Sequence, residues 1–287
     1  MSKIMRLPAQ LLHRKIDSHK GDFGHILILA GCARFSGAAA LCAEAALRSG
    51  AGLVTLGIPE GINSALIKIK PREVMTLPLA QTKEGTLSLS AYRKIKDFAK
   101  KIDIFALGPG LSSDKSTQKL VRKIVKMIEK PMVIDADGLN ALVGHLDILK
   151  MRRAETIVTP HSGEMGRLIN KSAQFIQNNR NTIAKEFASR YNLTIILKGF
   201  RTLVANKRNI YVNKTGNPGM STAGCGDVLT GMTAALWAQG LDAFSAAKYA
   251  AYLHGLAGDL AAKEKTQMGM VASDIVVKIP EAIKKSS

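Results

Sequence analysis

Asp227 closes a run of mostly small residues, Gly216-Asn217-Pro218-Gly219-Met220-Ser221-Thr222-Ala223-Gly224-Cys225-Gly226-Asp227, and the apolar stretch Val228 to Trp237 follows without a break. Small residues that lead into a helix leave backbone N–H groups unpaired at the positive end of its dipole, which suits a phosphate lying against the main chain. A carboxylate in that first turn has two readings. It can cap the helix, as most first-turn carboxylates do, or it can take the proton from a hydroxyl that attacks the bound phosphate.

Other residues with chemical potential are spread along the chain. Asp135 and Asp137, ahead of Gly138-Leu139-Asn140, could hold magnesium through water, or could serve only as turn and cap ligands. His161 follows Thr159-Pro160 and precedes Glu164; by itself it reads as a turn residue satisfied by local hydrogen bonds. His254, ahead of Gly255 in a helical pattern, reads as a partly buried structural histidine. His19-Lys20-Gly21 sets a cation just before the first strand. Two standard phosphate motifs fail: Lys115-Ser116 would need glycine at Asp114, and Gly108-Pro109-Gly110 is followed by Ser113 where a dinucleotide fingerprint needs glycine.

The elements that must position these residues follow from hydrophobic patterning. Ile26 to Ala30 is a short apolar run of the buried-strand kind, an Ala-rich helix runs from Gly37 to about Arg48, and Leu53 to Ile58 is the next strand. Strand, helix, strand with short connections is the parallel crossover unit. It recurs with Ile102 to Leu107, the basic helix from Lys115, and Pro131 to Ile134, and another strand covers Thr156 to Thr159. A helix over Ala173 to Arg190 leads to the strand Leu193 to Leu197. Thr202 to Ala205 and Ile210 to Val212 flank Asn206-Lys207-Arg208-Asn209 as a hairpin. Helices are expected over Val228 to Trp237, Ala243 to Ala262 and Ala272 to Lys284. Polar or glycine residues sit just after several strands, where open parallel sheets bind ligands.

Composition narrows the class. The chain has 287 residues, 46% hydrophobic and 22% charged, which is ordinary globular material. No apolar run reaches the roughly 18 residues of a spanning helix, and Met1 to Gln10 lacks a secretory apolar core, so no membrane association and a cytoplasmic location are expected. Cys32, Cys42 and Cys225 have no metal-ligand spacing and suggest reduced thiols. The net charge of +19 admits a nucleic-acid partner. Its distribution argues against one: Lys119, Arg122, Lys123, Lys126 and Lys130 fill the faces left by the stripe Leu120, Val121, Ile124, Val125 and Ile128, and an aromatic content of 5% offers few stacking platforms.

His19-Lys20-Gly21, Gly37-Ala38-Ala39, Gly108-Pro109-Gly110, Asp135-Ala136-Asp137-Gly138-Leu139-Asn140, Thr159-Pro160-His161 with Glu164, Lys198-Gly199 with Thr202, Gly216-Asn217 through Asp227, and Tyr252-Leu253-His254-Gly255 occur in one order. That order closely resembles the ADP/ATP-dependent NAD(P)H-hydrate dehydratases, a branch of the ribokinase-like family, from roughly Lys20 to Pro280. The resemblance implies a ribokinase-like three-layer α/β/α sandwich with a mostly parallel central sheet. It also implies a single domain over residues 1–287, with no room for the epimerase domain of bifunctional relatives.

The activity implied is dehydration of the S epimer of C6-hydrated NADH or NADPH, driven by ADP or ATP, with AMP and phosphate released when ADP is used. Hydroxide leaves poorly, so the C6 hydroxyl is phosphorylated and phosphate is then eliminated. By similarity, Asp227 is the base, while Ala38, Gly110, His161 and Asp227 contact the hydrated cofactor. Lys198, Gly199, Phe200, Arg201, Thr202 and Gly226 line the nucleotide site. Magnesium accompanies the nucleotide without a dedicated protein site, and the family suggests a homo-oligomer, a tetramer, beside a separate epimerase.

One position departs from the family pattern. Relatives commonly read Gly-Gly-Thr-Gly-Asp where this chain has Ala223-Gly224-Cys225-Gly226-Asp227. A thiol is a weaker donor than a hydroxyl, and a thiol at a helix start is a candidate for a lowered pKa. The rival enzyme reading is a vitamin-precursor kinase of the same fold, which shares the anion site and base; the rival from another class is a basic nucleic-acid-binding protein.

Overall fold

The computed structural model describes residues 4–287; Met1 to Lys3, part of the Met1–Gln10 opening, lie outside the described residues. Nine strands form one sheet: β1 (His25–Leu29), β2 (Leu53–Pro59), β3 (Met75–Leu79), β4 (Ile104–Leu107), β5 (Met132–Ile134), β6 (Thr156–Val158), β7 (Thr194–Leu197), β8 (Leu203–Ala205) and β9 (Ile210–Val212). Their order is β3-β2-β1-β4-β5-β6-β7-β8-β9. Pairing is parallel from β3 across to β7, and the hairpin of β8 and β9 closes the far edge antiparallel.

The helices are α1 (Ala9–Leu12), α2 (Ser36–Arg48), α3 (Asn63–Ile69), α4 (Tyr92–Phe98), α5 (Lys115–Met127), α6 (Ala136–Asn140), α7 (Asp147–Met151), α8 (Ser162–Ile169), α9 (Ala173–Asn178), α10 (Arg180–Tyr191), α11 (Cys225–Ala238), α12 (Ala243–Gly269) and α13 (Ala272–Lys285). They cover both faces because each central strand is apolar on both sides. Ile26, Ile28, Leu56 and Ile58 pack into one core with α2, α11, α12 and α13. Leu27, Leu29, Phe105 and Leu107 pack into the other with α5, α8 and α10. This is the expected three-layer sandwich. The cysteines are free and buried, and among the described residues no helix is long and apolar enough to cross a membrane.

Short helices such as α3, α7 and α8 have no counterpart in the sequence expectation, α12 runs past Ala262 to Gly269, and two further elements differ from it for a visible physical reason. β3 was not anticipated, because Pro78 cannot donate to a ladder; β3 is an edge strand, where that loss is tolerated. The expected helix from Ala173 to Arg190 is broken at Asn179, whose side-chain amide donates to the Phe175 carbonyl at 2.9 Å and competes with the helical ladder. The basic helix behaves as expected, with Lys119, Lys123 and Lys126 exposed and Asp114 capping its start through Ser116 and Thr117 N–H.

Topology makes the crevice. From β1 the chain moves outward to β2 and β3, then returns to β4 on the other side of β1 and continues away. Loops after β1 and β4 therefore diverge, and open α/β sheets bind ligands at such a point. Ala38 in the first turn of α2 and Gly110 after β4 meet there: a Cβ built on Gly110 would lie 3.0 Å from that of Ala38. α11 packs against α2 so closely that a Cβ on Gly231 would fall 2.1 Å from the Cys42 carbonyl oxygen. Gly231→Ala therefore has to push the two helices apart. It is expected to cost about 1–3 kcal/mol, outweighing the gain of roughly 1 kcal/mol in helix propensity, and a urea midpoint as high as the wild type's would show that the contact yields freely.

Candidate active site

α11 starts abruptly. Gly224 is its N-cap at φ 91°, and a Cβ there would meet Leu41 Cδ1 at 2.6 Å, so the turn requires glycine. The ladder begins with Val228 N–H donating to Gly224 O at 3.1 Å. Cys225, Gly226 and Asp227 thus present first-turn N–H groups, and no side chain caps this end. Asp227 does not form the capping box that Glu164 forms at the start of α8. Burial raises its pKa to about 7, Asp135 and more weakly Asp137 and Glu164 add to the rise, and Lys198 opposes it. A carboxylate whose pKa is raised toward the working pH is still available in its ionised form and basic enough to take a proton, which suits a general base.

Beneath this turn lies a buried ionic cluster. Asp135, just after β5 and 1% exposed, accepts from Lys198 Nζ at 2.7 Å and from Thr230 Oγ1 at 2.8 Å. Lys198 Nζ is also 3.6 Å from Glu164 Oε2. Burial works against the ammonium, but Asp135 and Glu164 outweigh it and hold the Lys198 pKa above its ordinary value. A Cβ on Gly226 would lie 3.3 Å from that ammonium nitrogen, so glycine lets the helix end approach it.

A cavity of about 860 Å³ opens beside the cluster. His161, the loop from Lys198 to Thr202, and Gly226 all line it, so seven of the expected contacts come together there. In that loop Gly199 sits at φ 137° and Arg201 at φ 53°, a left-handed conformation costly for a side chain with a Cβ, while Thr202 Oγ1 donates to Gly199 O at 3.0 Å. Phe200 is 85% exposed. Across the cavity, Asp259 of α12 accepts from Gly216 N–H at 3.0 Å and from Asn217 Nδ2 at 3.1 Å, which pins the glycine-rich strand of the rim. Asp227 is not among the residues that line this cavity, and neither are the expected contacts Ala38 and Gly110. The latter two belong to the switch-point crevice, joined to the centre by Ser112 N–H donating to Asp137 Oδ2 at 2.8 Å.

His161 is the N-cap of α8. Its Nδ1 accepts from Gly163 and Glu164 N–H, and burial lowers its pKa against the pull of Glu164. The local turn role read from sequence holds, and the ring faces the cavity as well. His254 is held neutral, its pKa lowered to about 4 by burial. The Cys225 thiol is the reverse of the expectation for a helix start: burial, then Asp227, raise its pKa. Asp135 and Asp137 are occupied as well, the latter by Ser112 N–H and Asn140 Nδ2. Among the described residues no three His, Cys, Asp or Glu side chains gather into a chelating set.

Sequence reasoning had assigned no site role to Glu164, Thr230 or Asp259. Glu164 had a signal, its place after a strand-end Thr-Pro-His. Thr230 and Asp259 lie inside helices and had none.

Comparison with known proteins identifies the family. The family profile described as NAD(P)H-hydrate dehydratase matches residues 26–281. The bifunctional NAD(P)H-hydrate repair enzyme Nnr of Moorella thermoacetica is 42% identical over 277 residues, 96% of this chain and 52% of that protein. The enzyme of the same name from Thermofilum pendens is 38% identical over 96% of this chain and 53% of its own length. The chain thus spans about half the length of these curated relatives. Among solved structures, the ADP/ATP-dependent NAD(P)H-hydrate dehydratase from Bacillus subtilis, co-crystallised with ATP/Mg2+, superposes with a TM-score of 0.81 at 27% identity and covers all of both chains. Hydroxyethylthiazole kinase from Pyrococcus horikoshii, at 15% identity and a TM-score of 0.57, shares the fold.

The raised pKa of Asp227 has a consequence for stability. Its folded value of about 7 exceeds the ordinary 3.8, so the folded chain retains a proton that the unfolded chain releases. The associated stability is fully present below the unfolded value and is lost as pH rises through about 7. Asp227→Asn removes that loss. Its thermal midpoint, relative to wild type, is expected to rise more at pH 8 than at pH 5; an equal difference at both would contradict the raised value.

Proposed function

The chain belongs to the NAD(P)H-hydrate dehydratase family, and from that premise we propose that it dehydrates the S epimer of C6-hydrated NADH or NADPH, using ADP, or ATP in its place, and releasing AMP and phosphate when ADP is used. The observation that carries this reading is a carboxylate with its pKa raised to about 7 in the first turn of α11, the turn whose Cys225 and Gly226 line the cavity of about 860 Å³. In this reading Ala38, Gly110 and His161 hold the hydrated cofactor, and Lys198, Gly199, Phe200, Arg201, Thr202 and Gly226 hold the nucleotide.

The steps follow from the groups present. Asp227 takes the C6 hydroxyl proton as that oxygen attacks the terminal phosphoryl group. First-turn N–H groups and Lys198 stabilise the charge on the transferred group, and AMP departs from ADP. The ring nitrogen lone pair then expels phosphate from C6, and the C5 proton leaves with it as hydrogen phosphate, which restores the dihydropyridine. Magnesium fits this site as the nucleotide's companion, since Asp135 and Asp137 spend their oxygens on protein donors and magnesium takes few protein ligands beside substrate phosphates. When bound it neutralises phosphate charge. Cytoplasmic residence and a homotetramer belong to the same proposal, and a molar-mass measurement in solution tests the second. An epimerase acting on the R form, fused or separate, would widen the substrate supply.

Three outcomes test the reading. Hydrated NADH with ADP or ATP is expected to regain dihydronicotinamide absorbance; no recovery with either, or release of a stable phosphorylated product, would point to another activity, such as a small-molecule kinase. kcat/KM should rise with pH through about 7, where Asp227 ionises. Asp227→Asn should keep nucleotide affinity while turnover falls by about 10²–10⁴-fold, and near-normal turnover would remove Asp227 from the mechanism.

A further inference from the structure

A lysine ammonium and a catalytic carboxylate placed close together ordinarily pair with each other. Lys198 and Asp227 face that problem, since a Cβ on Gly226, one residue away, would lie 3.3 Å from the ammonium nitrogen and the two charges act on each other's pKa. Asp227 and Thr230 lie three residues apart in α11 and so share a helix face. Under that face Asp135 takes Thr230 Oγ1 on one oxygen at 2.8 Å and Lys198 Nζ on the other at 2.7 Å. An ammonium has three N–H donors. Asp135 engages one, Glu164 at 3.6 Å draws a second, and the third is left for the cavity that Lys198 also lines.

Resting on the dehydratase reading above, we propose that Asp135 is a positioning residue: it holds the Lys198 ammonium off the Asp227 carboxylate, so that the cation serves the transferred phosphoryl group and the carboxylate stays free to accept a proton. Asp135 is 1% exposed and is not among the residues that line the cavity. Its action passes through Lys198, and Thr230 fixes its rotamer to the same helix that carries the base. The groups facing Asp227 are Asp135 after β5, Asp137 of α6, Glu164 of α8, Lys198 after β7 and Cys42 of α2, with Cys225 on its own helix. Within this set Lys198 alone is a cation, so its position governs when the base ionises.

The test is carboxyl-carbon NMR titration of Asp227 in the full chain, which reads the base whether or not the chain turns over hydrated cofactor. Asp135→Asn removes a negative neighbour and releases Lys198 toward Asp227; both effects should move the Asp227 midpoint down by more than about one pH unit. Lys198→Met should move it up. In the same variants the acid limb of kcat/KM should follow the midpoint, with kcat of Asp135→Asn lowered by about 100-fold. An Asp135→Asn chain with a native amide fingerprint whose Asp227 midpoint falls no further with Lys198 present than in a Lys198→Met background would overturn the proposal, since loss of the Asp135 charge alone acts equally in both. Should Asp135→Asn not fold, an unmoved or lowered midpoint in Lys198→Met overturns it equally. Loss of turnover in wild type with both shifts intact would count against the dehydratase reading and not against the positioning role.

Discussion

Lys198 and Asp135 meet at 2.7 Å where segments of chain 63 residues apart converge, and the rest of the site is arranged around that ion pair. A buried pair of this kind is a poor source of net stability, because desolvating both ions offsets most of their attraction, yet removing one partner alone is strongly destabilising. It acts as a constraint. The ends of β5 and β7, the start of α8 through Glu164 and the second turn of α11 through Thr230 must all arrive together for each ion to be satisfied. Once they do, the first turn of α11 has one possible place, over the pair and at the edge of the cavity.

The fold supplies what the pair cannot. A sheet apolar on both faces positions the strand ends, and the return of the chain from β3 to β4 opens the crevice where Ala38 and Gly110 meet. Glycines set the close approaches: Gly231 lets α11 lie against α2, Gly224 permits the left-handed N-cap, and Gly226 lets the helix end reach Lys198. Asp227 is stabilised by none of this. Its carboxylate is desolvated beside Asp135, and that unfavourable placement brings its pKa to about 7. Active sites accept such costs, and the surrounding core offsets them.

Strands such as Ile26 to Leu29 and Leu53 to Ile58 were legible in the sequence because burial on both faces leaves an uninterrupted apolar run, and the long helices because their stripes keep one period. β3 was hidden by Pro78, which only its place at the edge makes harmless. The break at Asn179 depends on one side-chain bond that no periodicity records. The site divides in the same way. Gly216 to Asp227 and the polar residues at strand ends carry local signals. The attachment of Asp135 to Thr230, 95 residues away, does not, nor does the separation of Ala38 and Gly110 from the cavity lined by His161 and Lys198. Sequence also left open whether Asp227 caps its helix. That question turned on burial and neighbouring charge, which exist only in the fold.

The fate of the C6 oxygen tests the central claim, phosphorylation of the hydroxyl with Asp227 as base, most directly. Hydrated NADH labelled with ¹⁸O at the C6 hydroxyl, turned over with unlabelled ADP and analysed by mass spectrometry of the released phosphate, should place the labelled oxygen in phosphate in every turnover. Label found in water, with unlabelled phosphate released alongside, would mean that the hydroxyl leaves without accepting a phosphoryl group, and would contradict the account.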